Sequence, residues 1–471
     1  MAISLTRDIA HTRTMCPTFT EMLDPSRIDP DLRRRAIAAK NTDPLDPVNF
    51  FNITWKDEAD EVQHFVLPEA LTGVAAPIVC LYGKEFPTGS HKVGATYSTL
   101  VEQLVTGAVE PGRHVTVWPS TGNYGIGGAW VGGRMGFESV VVLPAEMSTE
   151  RFERIQAYGG RIIATPGGES NVKEIYDKCK ELTAGNPTLV RVMNQFEALS
   201  NYRFHSYVTG GSAAELAETL MTRGIGKGRV AAFVSAMGSA GTIGAGDTLK
   251  ERWPDCRIIG LEPIQCPTLY QNGYGNHDIQ GIGDKHATWI HNVLNMDAIM
   301  CLDDLSCKLG LQLLVETAGQ ELLRSAGIMA EQATYLRSYI GISGICNILG
   351  AIKTAKYFGF NKDDLIITVC TDSIDRYHSV LARLTKEHGA MDHHEAACRL
   401  KRIFHGQGLD WIEEGTMVNR ERWHNIKYYT WVEQQGKSIT ELDAQRSQAW
   451  WQEQRSLVTE TDRRIATWRQ M

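Results

Sequence analysis

The sequence lacks the features that are typical of proteins that bind nucleic acids, insert into membranes or fold in oxidising compartments. Its 48 lysines and arginines are outnumbered by 55 aspartates and glutamates, and the net charge of −7 offers no positive field to a phosphate backbone. No segment approaches the roughly 20 apolar residues of a membrane helix, and the N-terminus has no apolar secretory core. No CxxC pair occurs among the 10 cysteines. We therefore expect a soluble cytoplasmic protein that binds neither nucleic acid nor membrane.

Internal repeats and low-complexity tracts are also absent, which excludes a solenoid and a long disordered linker. The chain instead alternates short β-branched runs with helical patterns between residues 76 and 385. The runs are APIVCLYG, HVTVWP, SVVVLP, RIIATP, LVRVM, VAAFVSA, RIIGLEP and LIITVC. This alternation predicts an α/β fold with parallel sheets and helices on both faces.

The length of 471 residues predicts more than one domain. We expect an N-terminal extension at 1–70, a core at 71–385 whose small domain, about 110–205, is inserted in the large one, and a helical extension at 386–471. The last region holds six of the 11 tryptophans. So many aromatic side chains on a polar segment need a partner surface, either the main body or a second subunit. The sequence leaves both open.

A turn that contains glycine, PTGSHKVGA at 87–95, places Lys92 at a predicted helix start. A lysine that is partly desolvated there has a lowered pKa, and its free amine can form a Schiff base with an aldehyde. The alternative is an ordinary solvated lysine of a first helical turn.

Two glycine-rich loops follow other predicted strands. PSTGNYGIGG at 119–128 offers hydroxyl, amide and backbone N–H groups that can hold a carboxylate, or it is an ordinary helix cap. MGSAGTIGAG at 237–246 can wrap a phosphate at a helix start. A dinucleotide is the competing ligand, since Glu262 ends the next strand, but the G-x-G-x-x-G spacing is missing and Lys92 would have no role.

A fourth segment, CTDSIDRYHS at 370–379, follows the strand LIITVC, and GIGDKHATWIHNVL stands at 281–294. Taken in order, these segments resemble the fold-type II pyridoxal phosphate enzymes, the family of cysteine synthase, cystathionine beta-synthase and the tryptophan synthase beta subunit. The resemblance covers roughly residues 76–385. It implies two interwoven three-layer αβα domains of the tryptophan synthase beta-like kind and pyridoxal 5'-phosphate as the cofactor.

The resemblance also implies a role for each matching residue. Lys92 would be the catalytic residue and form the internal aldimine, Asn123 would meet the cofactor phenolate oxygen, and Ser373 would face the pyridine nitrogen. The residues implied around the phosphate are His91, Gly238, Ser239, Ala240, Gly241 and Thr242. Those implied for the substrate are Ser120, Thr121, Asn123, Tyr124, Gln195, Gly281 and Gly283.

Three departures from the family pattern bear on these roles. Tyr124 stands where sulfhydrylases have threonine, and the pair Lys285 and His286 could suit an acidic group on the substrate or be solvated. A neutral hydroxyl of Ser373 would leave the pyridine ring a weak electron sink. Asp372, if it met the ring nitrogen instead, would reverse that argument.

The implied activity is a lyase reaction, β-elimination from a small amino acid through an α-aminoacrylate intermediate. The alternatives are β-replacement, as in cysteine synthase and cystathionine beta-synthase, and a catalytically silent protein that binds a ligand or partner. Family habit implies a homodimer. We predict no metal, since the cluster from Asp392 to Cys398 lacks an identified fourth ligand and second shell.

Overall fold

The computed structural model describes residues 15–470, and the N-terminal stretch that bears on a secretory signal lies mostly outside them. The strands of the described residues are β1 (His64–Val66), β2 (Ile78–Tyr82), β3 (Val115–Pro119), β4 (Glu138–Pro144), β5 (Arg161–Thr165), β6 (Val190–Val192), β7 (Val230–Ala236), β8 (Arg257–Pro263), β9 (Ala298–Leu302), β10 (Leu365–Cys370) and β11 (Ile412–Glu414).

The helices of the same part of the chain are α1 (Phe19–Leu23), α2 (Pro30–Thr42), α3 (Glu69–Thr72), α4 (Lys92–Val105), α5 (Asn123–Arg134), α6 (Thr149–Ala157), α7 (Val172–Gly185), α8 (Leu199–Phe204), α9 (Gly210–Thr222), α10 (Ala245–Arg252), α11 (Thr268–Gln271), α12 (Asp304–Val315), α13 (Thr317–Ser325), α14 (Ala330–Ser338), α15 (Ile342–Phe358), α16 (His378–His388), α17 (His393–Arg399), α18 (Met417–Lys427), α19 (Ile439–Ala444) and α20 (Gln448–Gln470). Short 3-10 and π-helical turns join several of them.

The strands form two sheets. The larger sheet has seven strands in the order β1-β2-β10-β7-β8-β9-β11, and the smaller has four in the order β5-β4-β3-β6. The smaller sheet is parallel throughout, whereas the larger is parallel except for its antiparallel edge strands β1 and β11. Every residue of β3, β4, β7, β9 and β10 is buried, as expected when helices cover both faces. The predicted α/β fold is confirmed.

All eight predicted runs contain strands, and the structure adds β1, β9 and β11. The two edge strands have three residues each, too few to show a period of two. The four strands of the smaller sheet come between β2 and β7 in the chain. The predicted domain boundaries remain a prediction.

The chemically distinctive loops follow the carboxyl ends of parallel strands, three of them in the larger sheet and one in the smaller. Strand β2 leads to Lys92, β3 to Ser120, β7 to Gly238 and β10 to Asp372. The N–H of Gly83, just after β2, donates to the carbonyl of Cys370 at 2.8 Å, which joins the ends of β2 and β10. Ligands of parallel sheets collect at such an edge.

The tryptophan-rich C-terminal region packs on the main body. Trp423, Trp431 and Trp451 are fully buried, and the indole N–H of Trp431 donates to the carbonyl of Ala287 at 2.8 Å. The ring of Trp451 lies edge-on to that of Tyr202, with 4.9 Å between ring centroids. The region is not wholly helical, because β11 pairs with β9.

We expect Trp451→Ala to lower the free energy of unfolding by about 3–5 kcal/mol, because it empties a fully packed aromatic site between the tail and α8. Denaturant unfolding measures this change. The matched control is Trp450→Ala, which removes a neighbouring, half-buried ring and should cost clearly less. Equal losses for the two variants would show that the tail does not dock through Trp451.

All ten cysteines are free thiols, nine of them buried and Cys398 exposed. In the part of the chain that the structure describes, no helix has both the length and the apolarity to cross a membrane.

Candidate active site

Lys92 is the first residue of α4 and is enclosed by the loops at the sheet edge. Its side chain is 9% exposed, and its Nζ donates to the hydroxyl of Ser239 at 3.0 Å. Burial lowers the pKa of Lys92 from 10.5 to about 8, although the carboxyls of Asp284 and Glu169 partly oppose the shift. The predicted desolvated lysine is therefore present, and a substantial fraction of its amine is neutral near that pH.

The loop from Gly238 to Thr242 lies directly beside this amine. It runs from the end of β7 into a 3-10 turn at Thr242–Gly244 and then α10, so its backbone N–H groups precede a helical segment, where anions bind. Ala240 has a positive φ of 62°, and a Cβ on Gly238 would lie 2.7 Å from the carbonyl oxygen of Gly281. The loop thus needs glycine at 238 to pack against the 281 segment.

His91 contacts the same loop at Thr242. Its Nε2 lies 3.0 Å from the hydroxyl of Thr242, and its ring rests on that of Trp55 with 5.4 Å between centroids. Burial, and to a lesser degree Lys92, lowers the pKa of His91 to about 3, so the imidazole is neutral at ordinary pH. A neutral His91 can donate one N–H toward the loop without adding charge.

Asn201 joins the site without having been predicted. Its Nδ2 donates to the hydroxyl of Ser239 and to the carbonyl of Gln195, both at 3.0 Å, while its Oδ1 is buried without a hydrogen-bond partner. Sequence reasoning did not identify Asn201, because an asparagine inside the helical pattern of α8 resembles any surface asparagine.

Asn123 and Asp372 meet at the carboxyl ends of β3 and β10. The amide Nδ2 of Asn123 donates to Oδ2 of Asp372 at 2.6 Å, and the hydroxyl of Tyr377 donates to the same oxygen at 2.8 Å. Asp372 is fully buried, and both its Oδ1 and the Oδ1 of Asn123 are without hydrogen-bond partners. Buried polar atoms without partners are uncommon in folded proteins, and a bound polar ligand is one way of satisfying them.

Ser373 points elsewhere. Its hydroxyl donates to Oδ2 of Asp375 at 3.0 Å, and the residue lines a surface cleft together with Lys84 and Arg154. The structure therefore places the carboxyl of Asp372, and not the hydroxyl of Ser373, beside Asn123.

The predicted substrate loop is built around Ser120. The Ser120 hydroxyl accepts the N–H groups of Gly122 at 2.9 Å and Gly125 at 2.7 Å, so it fixes the loop from inside. The carbonyl of Thr121 accepts Nη1 of Arg151 at 3.3 Å. A Cβ on Gly122 would lie 2.6 Å from the Arg151 guanidinium, which explains a glycine there.

The other predicted substrate residues divide into two groups. Gln195 lies at the start of the loop around Ser120, since its Nε2 donates to the carbonyl of Pro119 at 3.3 Å. Gly283 lies beside the loop from Gly238 to Thr242, since its N–H donates to the carbonyl of Met237 at 2.9 Å. Tyr124 packs in the interior instead, with its ring 5.6 Å from that of Trp118. Its bulk therefore fills the core between α5 and β3.

A buried ionic network that sequence reasoning missed connects these parts. Glu169 accepts the N–H of Gly281 at 2.8 Å and lies 3.6 Å from the guanidinium of Arg151. Arg151 in turn donates to the hydroxyl of Tyr377 at 3.3 Å, and Tyr377 donates to Asp372. Burial raises the pKa of Glu169 to about 7 against the opposing effect of Arg151. The network runs from the 281 segment to the pair of Asn123 and Asp372.

The structure does not support two alternative interpretations of the sequence, a dinucleotide ligand at Glu262 and a substrate contact by Lys285 and His286. The carboxyl of Glu262 caps α11 by accepting the N–H groups of Leu269 at 2.9 Å and Tyr270 at 3.1 Å, so it is not free for a ribose. Lys285 bonds Oδ1 of Asn171 at 3.5 Å, and the ring of His286 lies against Tyr176.

The cluster from Asp392 to Cys398 forms local contacts in α17. Asp392 caps the helix by accepting the N–H of Glu395 at 2.8 Å, and Cys398 lies 3.7 Å from Nε2 of His394. Within residues 15–470, no three histidine, cysteine, aspartate or glutamate side chains converge as metal ligands.

Comparison with known proteins provides evidence in addition to the geometry of the site. The family of pyridoxal-phosphate dependent enzymes matches residues 83–372. The cysteine synthase of Staphylococcus aureus strain Mu50 is 31% identical over 294 residues, which cover 62% of this chain and 84% of that protein. The probable cysteine synthase of Bacillus subtilis strain 168 is also 31% identical over 294 residues, 62% of this chain and 85% of that protein.

Solved structures share the fold. The cysteine synthase of Entamoeba histolytica superposes with a TM-score of 0.59 at 23% identity, covering 72% of this chain and 92% of that chain. A hydrogen sulfide-producing enzyme of Fusobacterium nucleatum gives a TM-score of 0.55 at 24% identity, covering 69% of this chain and 88% of that chain.

An α/β fold that buries a lysine of lowered pKa against the glycine-rich loop from Gly238 to Thr242 is the arrangement expected of enzymes that work through an aldehyde cofactor. The chain belongs to the family of pyridoxal-phosphate dependent enzymes. Its cofactor is pyridoxal 5'-phosphate, and the fold-type II resemblance seen in the sequence is confirmed.

Proposed function

We propose that the protein catalyses β-elimination from a small amino acid that carries a leaving group on Cβ, with β-replacement by a thiol or amine as the alternative. The observation that carries this proposal is the buried amine of Lys92, 3.0 Å from Ser239 of the phosphate loop. Relatives named cysteine synthase support chemistry at Cβ. Membership in an enzyme family disfavours the catalytically silent alternative.

The residues of the site fit pyridoxal phosphate. We propose that Lys92 holds its aldehyde carbon, that the loop from Gly238 to Thr242 holds its phosphate with His91 behind it, and that Asn123 meets its phenolate oxygen. The Nδ2 group of Asn123 has a second N–H besides the one it donates to Asp372, and this N–H can donate to the phenolate oxygen. The Oδ1 atoms of Asn123 and Asn201 are buried without partners, and only a ligand group that donates a hydrogen bond would satisfy them.

Asp372, and not Ser373, is our proposal for the residue opposite the pyridine nitrogen. A carboxylate in this position would stabilise a protonated ring nitrogen when the cofactor is bound. Tyr377 and Arg376, whose Nε lies 3.7 Å from the carboxylate, hold Asp372 in place. The expectation of a weak electron sink, which rested on Ser373, is replaced by that of a strong one.

When bound, the cofactor withdraws electrons from Cα of the substrate and so acidifies the Cα–H bond. We propose that Nζ of Lys92 accepts the Cα proton, because its lowered pKa leaves part of the amine neutral near pH 8. The backbone of the loop at Thr121 and the amide of Gln195 orient the substrate carboxylate. The enclosed site, with Lys92 9% exposed, keeps bulk water from the reacting carbon.

The pKa of Lys92 leads to a prediction for the apoprotein. We expect the rate of covalent pyridoxal phosphate uptake to rise with pH through about 8 and to level off above it, because only the neutral amine attacks the aldehyde. Rapid-mixing absorbance over a pH series measures the rate. A rate that still rises near the ordinary lysine pKa of 10.5 would contradict the desolvated setting.

β-Elimination and β-replacement can be distinguished by their products. Purified holoenzyme is incubated with serine, cysteine and O-acetylserine, with and without sulfide, and keto acid and new amino acid are quantified. Elimination predicts keto acid formed equally in both conditions. Suppression of keto acid by sulfide, with cysteine formed from O-acetylserine, would favour β-replacement.

A homodimer and a cytoplasmic location remain proposals drawn from the family resemblance. Light scattering is expected to give twice the 52.4 kDa of one chain. A mass of one chain would reject the dimer.

A further inference from the structure

Arg151 is a fully buried cation that contacts the loop after β3, and the mechanism above gives it no role. It lies in α6, and its side chain is 0% exposed. Its Nη1 donates to the carbonyl of Thr121 at 3.3 Å, and a Cβ on Gly122 would lie 2.6 Å from its Nε. The Nε itself is buried without a hydrogen-bond partner. The guanidinium therefore lies against the backbone of residues 120–123, which we call the carboxylate loop.

The carboxylate loop offers backbone donors but has no cation of its own. It leads into α5, a helix of 12 residues that begins at Asn123. The first N–H groups of a helix have no partners inside the helix and attract anions. The hydroxyl of Ser120 is already engaged, because it accepts the N–H groups of Gly122 and Gly125. The segment PSTGNYGIGG at 119–128 includes no lysine, arginine or histidine, so the counter-charge for a bound carboxylate must come from another element.

Arg151 is placed to supply that charge, because its own charge is only partly balanced. An arginine stays charged inside a protein. Among residues 15–470, Glu169 is the carboxyl group that forms an ion pair with it, 3.6 Å from Nη1. Burial raises the pKa of Glu169 to about 7 against the opposing effect of Arg151, so this carboxyl is only partly ionised at neutral pH. A buried charge of this kind is stabilised by an anion placed close to it.

Contacts away from the carboxylate loop hold the guanidinium in place. Nη2 donates to the hydroxyl of Tyr377 at 3.3 Å, and Nη1 lies 3.7 Å from the sulfur of Met147. Glu169 accepts the N–H of Gly281 at 2.8 Å. Arg151 thus connects the carboxylate loop, which follows a strand of the smaller sheet, with two segments that follow strands of the larger sheet.

We propose that Arg151 is the positioning residue for the substrate carboxylate. It fixes the backbone of the carboxylate loop through Thr121, and it supplies the positive charge that makes this loop prefer a carboxylate to a neutral group. This inference rests on the proposed function and specifies its substrates, namely amino acids with a free α-carboxylate and not their amides or esters.

The experiment compares the binding of norvaline and norvalinamide to the holoenzyme at pH 7, followed by the absorbance of the cofactor. Neither compound has a leaving group on Cβ, and norvalinamide has a neutral amide in place of the carboxylate. The preference is the ratio of the two spectral dissociation constants. We expect Arg151→Met to lower the preference for norvaline by about tenfold, because the buried charge is lost. Other differences between the two compounds are the same for every variant and cancel.

Two further substitutions in α6 separate charge from packing. Arg151→Lys keeps the charge, so we expect it to keep the preference within about threefold of the unsubstituted enzyme. It should weaken the binding of both compounds, because an ammonium cannot reproduce the fork of contacts to Thr121 and Tyr377. The matched control is Arg154→Met, one turn along the helix, whose side chain lines a surface cleft. It should leave both dissociation constants unchanged.

Glu169→Gln tests the same charge in the opposite direction, and it gives a result even if Arg151→Met does not fold. The amide oxygen of glutamine can still accept the N–H of Gly281, but the negative charge beside Arg151 is removed. At pH 8.5, where Glu169 is ionised in the unsubstituted enzyme, we expect the preference for norvaline to rise by about threefold or more. An arginine that only supports the fold predicts no increase.

The outcomes separate this inference from the proposed function. If Arg151→Met weakens the binding of norvaline and norvalinamide equally, or if Glu169→Gln leaves the preference unchanged, the inference is wrong and the chemistry at Cβ is unaffected. If the holoenzyme shows the expected preferences but releases no keto acid from serine, cysteine or O-acetylserine, the proposed function is wrong and the role of Arg151 is supported.

Discussion

Lys92→Ala is expected to abolish the absorbance band of bound pyridoxal phosphate and to lower turnover by about 10³-fold or more, because it removes both the covalent attachment and the base for Cα. Spectra before and after borohydride treatment and keto acid formation measure the two effects. The matched control is Lys84→Ala in the same segment, whose amine bonds the carbonyl of Ser338 at 3.0 Å. That variant should keep the band and the turnover.

The folded state should tolerate the loss of Lys92. Because folding lowers the pKa of this lysine to about 8, the unfolded chain binds more protons between about pH 8 and 10.5, and stability of the apoprotein rises with pH across that window. Below it, the buried ammonium opposes folding. We therefore expect apo Lys92→Ala to melt no lower than the unsubstituted apoprotein at neutral pH. If the variant keeps the band, another lysine holds the cofactor.

Asp372→Ser is expected to lower turnover by about 100-fold, because an adjacent opposite charge shifts a pKa by about 1–3 units and loss of the carboxyl would leave the cofactor ring nitrogen unprotonated. Nitrogen-15 NMR of ring-labelled pyridoxal phosphate reads the protonation directly. We expect a protonated nitrogen in the unsubstituted enzyme and a neutral one in the variant. This readout does not depend on turnover.

Ser373→Ala is the matched control for this prediction. The Ser373 hydroxyl bonds Asp375 in a surface cleft, so its loss should leave both the ring nitrogen and the turnover close to those of the unsubstituted enzyme. The reverse result, with Ser373→Ala losing activity and Asp372→Ser keeping a protonated nitrogen, would restore the serine that the sequence pattern favoured. Thermal melting of both variants separates these effects from loss of folding.

The fold, and the burial of Lys92 beside the glycine-rich loop that follows β7, were predictable from the sequence because their determinants are local. Eight β-branched runs that alternate with helical patterns indicate parallel sheets, and the structure has a strand in each. A lysine after a glycine turn, followed by a glycine-rich loop after a later strand, indicates that the two segments meet, and Nζ of Lys92 donates to the hydroxyl of Ser239 in that loop. Parallel strands bring such loops to the same edge whatever their separation along the chain.

The sequence pattern does not show which of the two neighbours, Asp372 or Ser373, contacts Asn123. Both residues lie just after β10, where the strand's alternation of side chains stops. The direction of each side chain is set by its partners, Asn123 and Tyr377 for Asp372, and Asp375 for Ser373. Adjacent residues therefore face opposite sides for a reason that the pattern does not contain.

By itself the sequence determined the α/β alternation, and it predicted Lys92 and the glycine-rich loop at 238–242 as the cofactor site, because each depends on the periodicity or turn chemistry of a short segment. Only the tertiary structure decided which charges surround that lysine. Glu169, Asp284 and Arg151 come from separate loops and carry no local motif. Their burial exists only in the folded chain, and burial is the largest cause of the raised pKa values of Glu169 and Asp284.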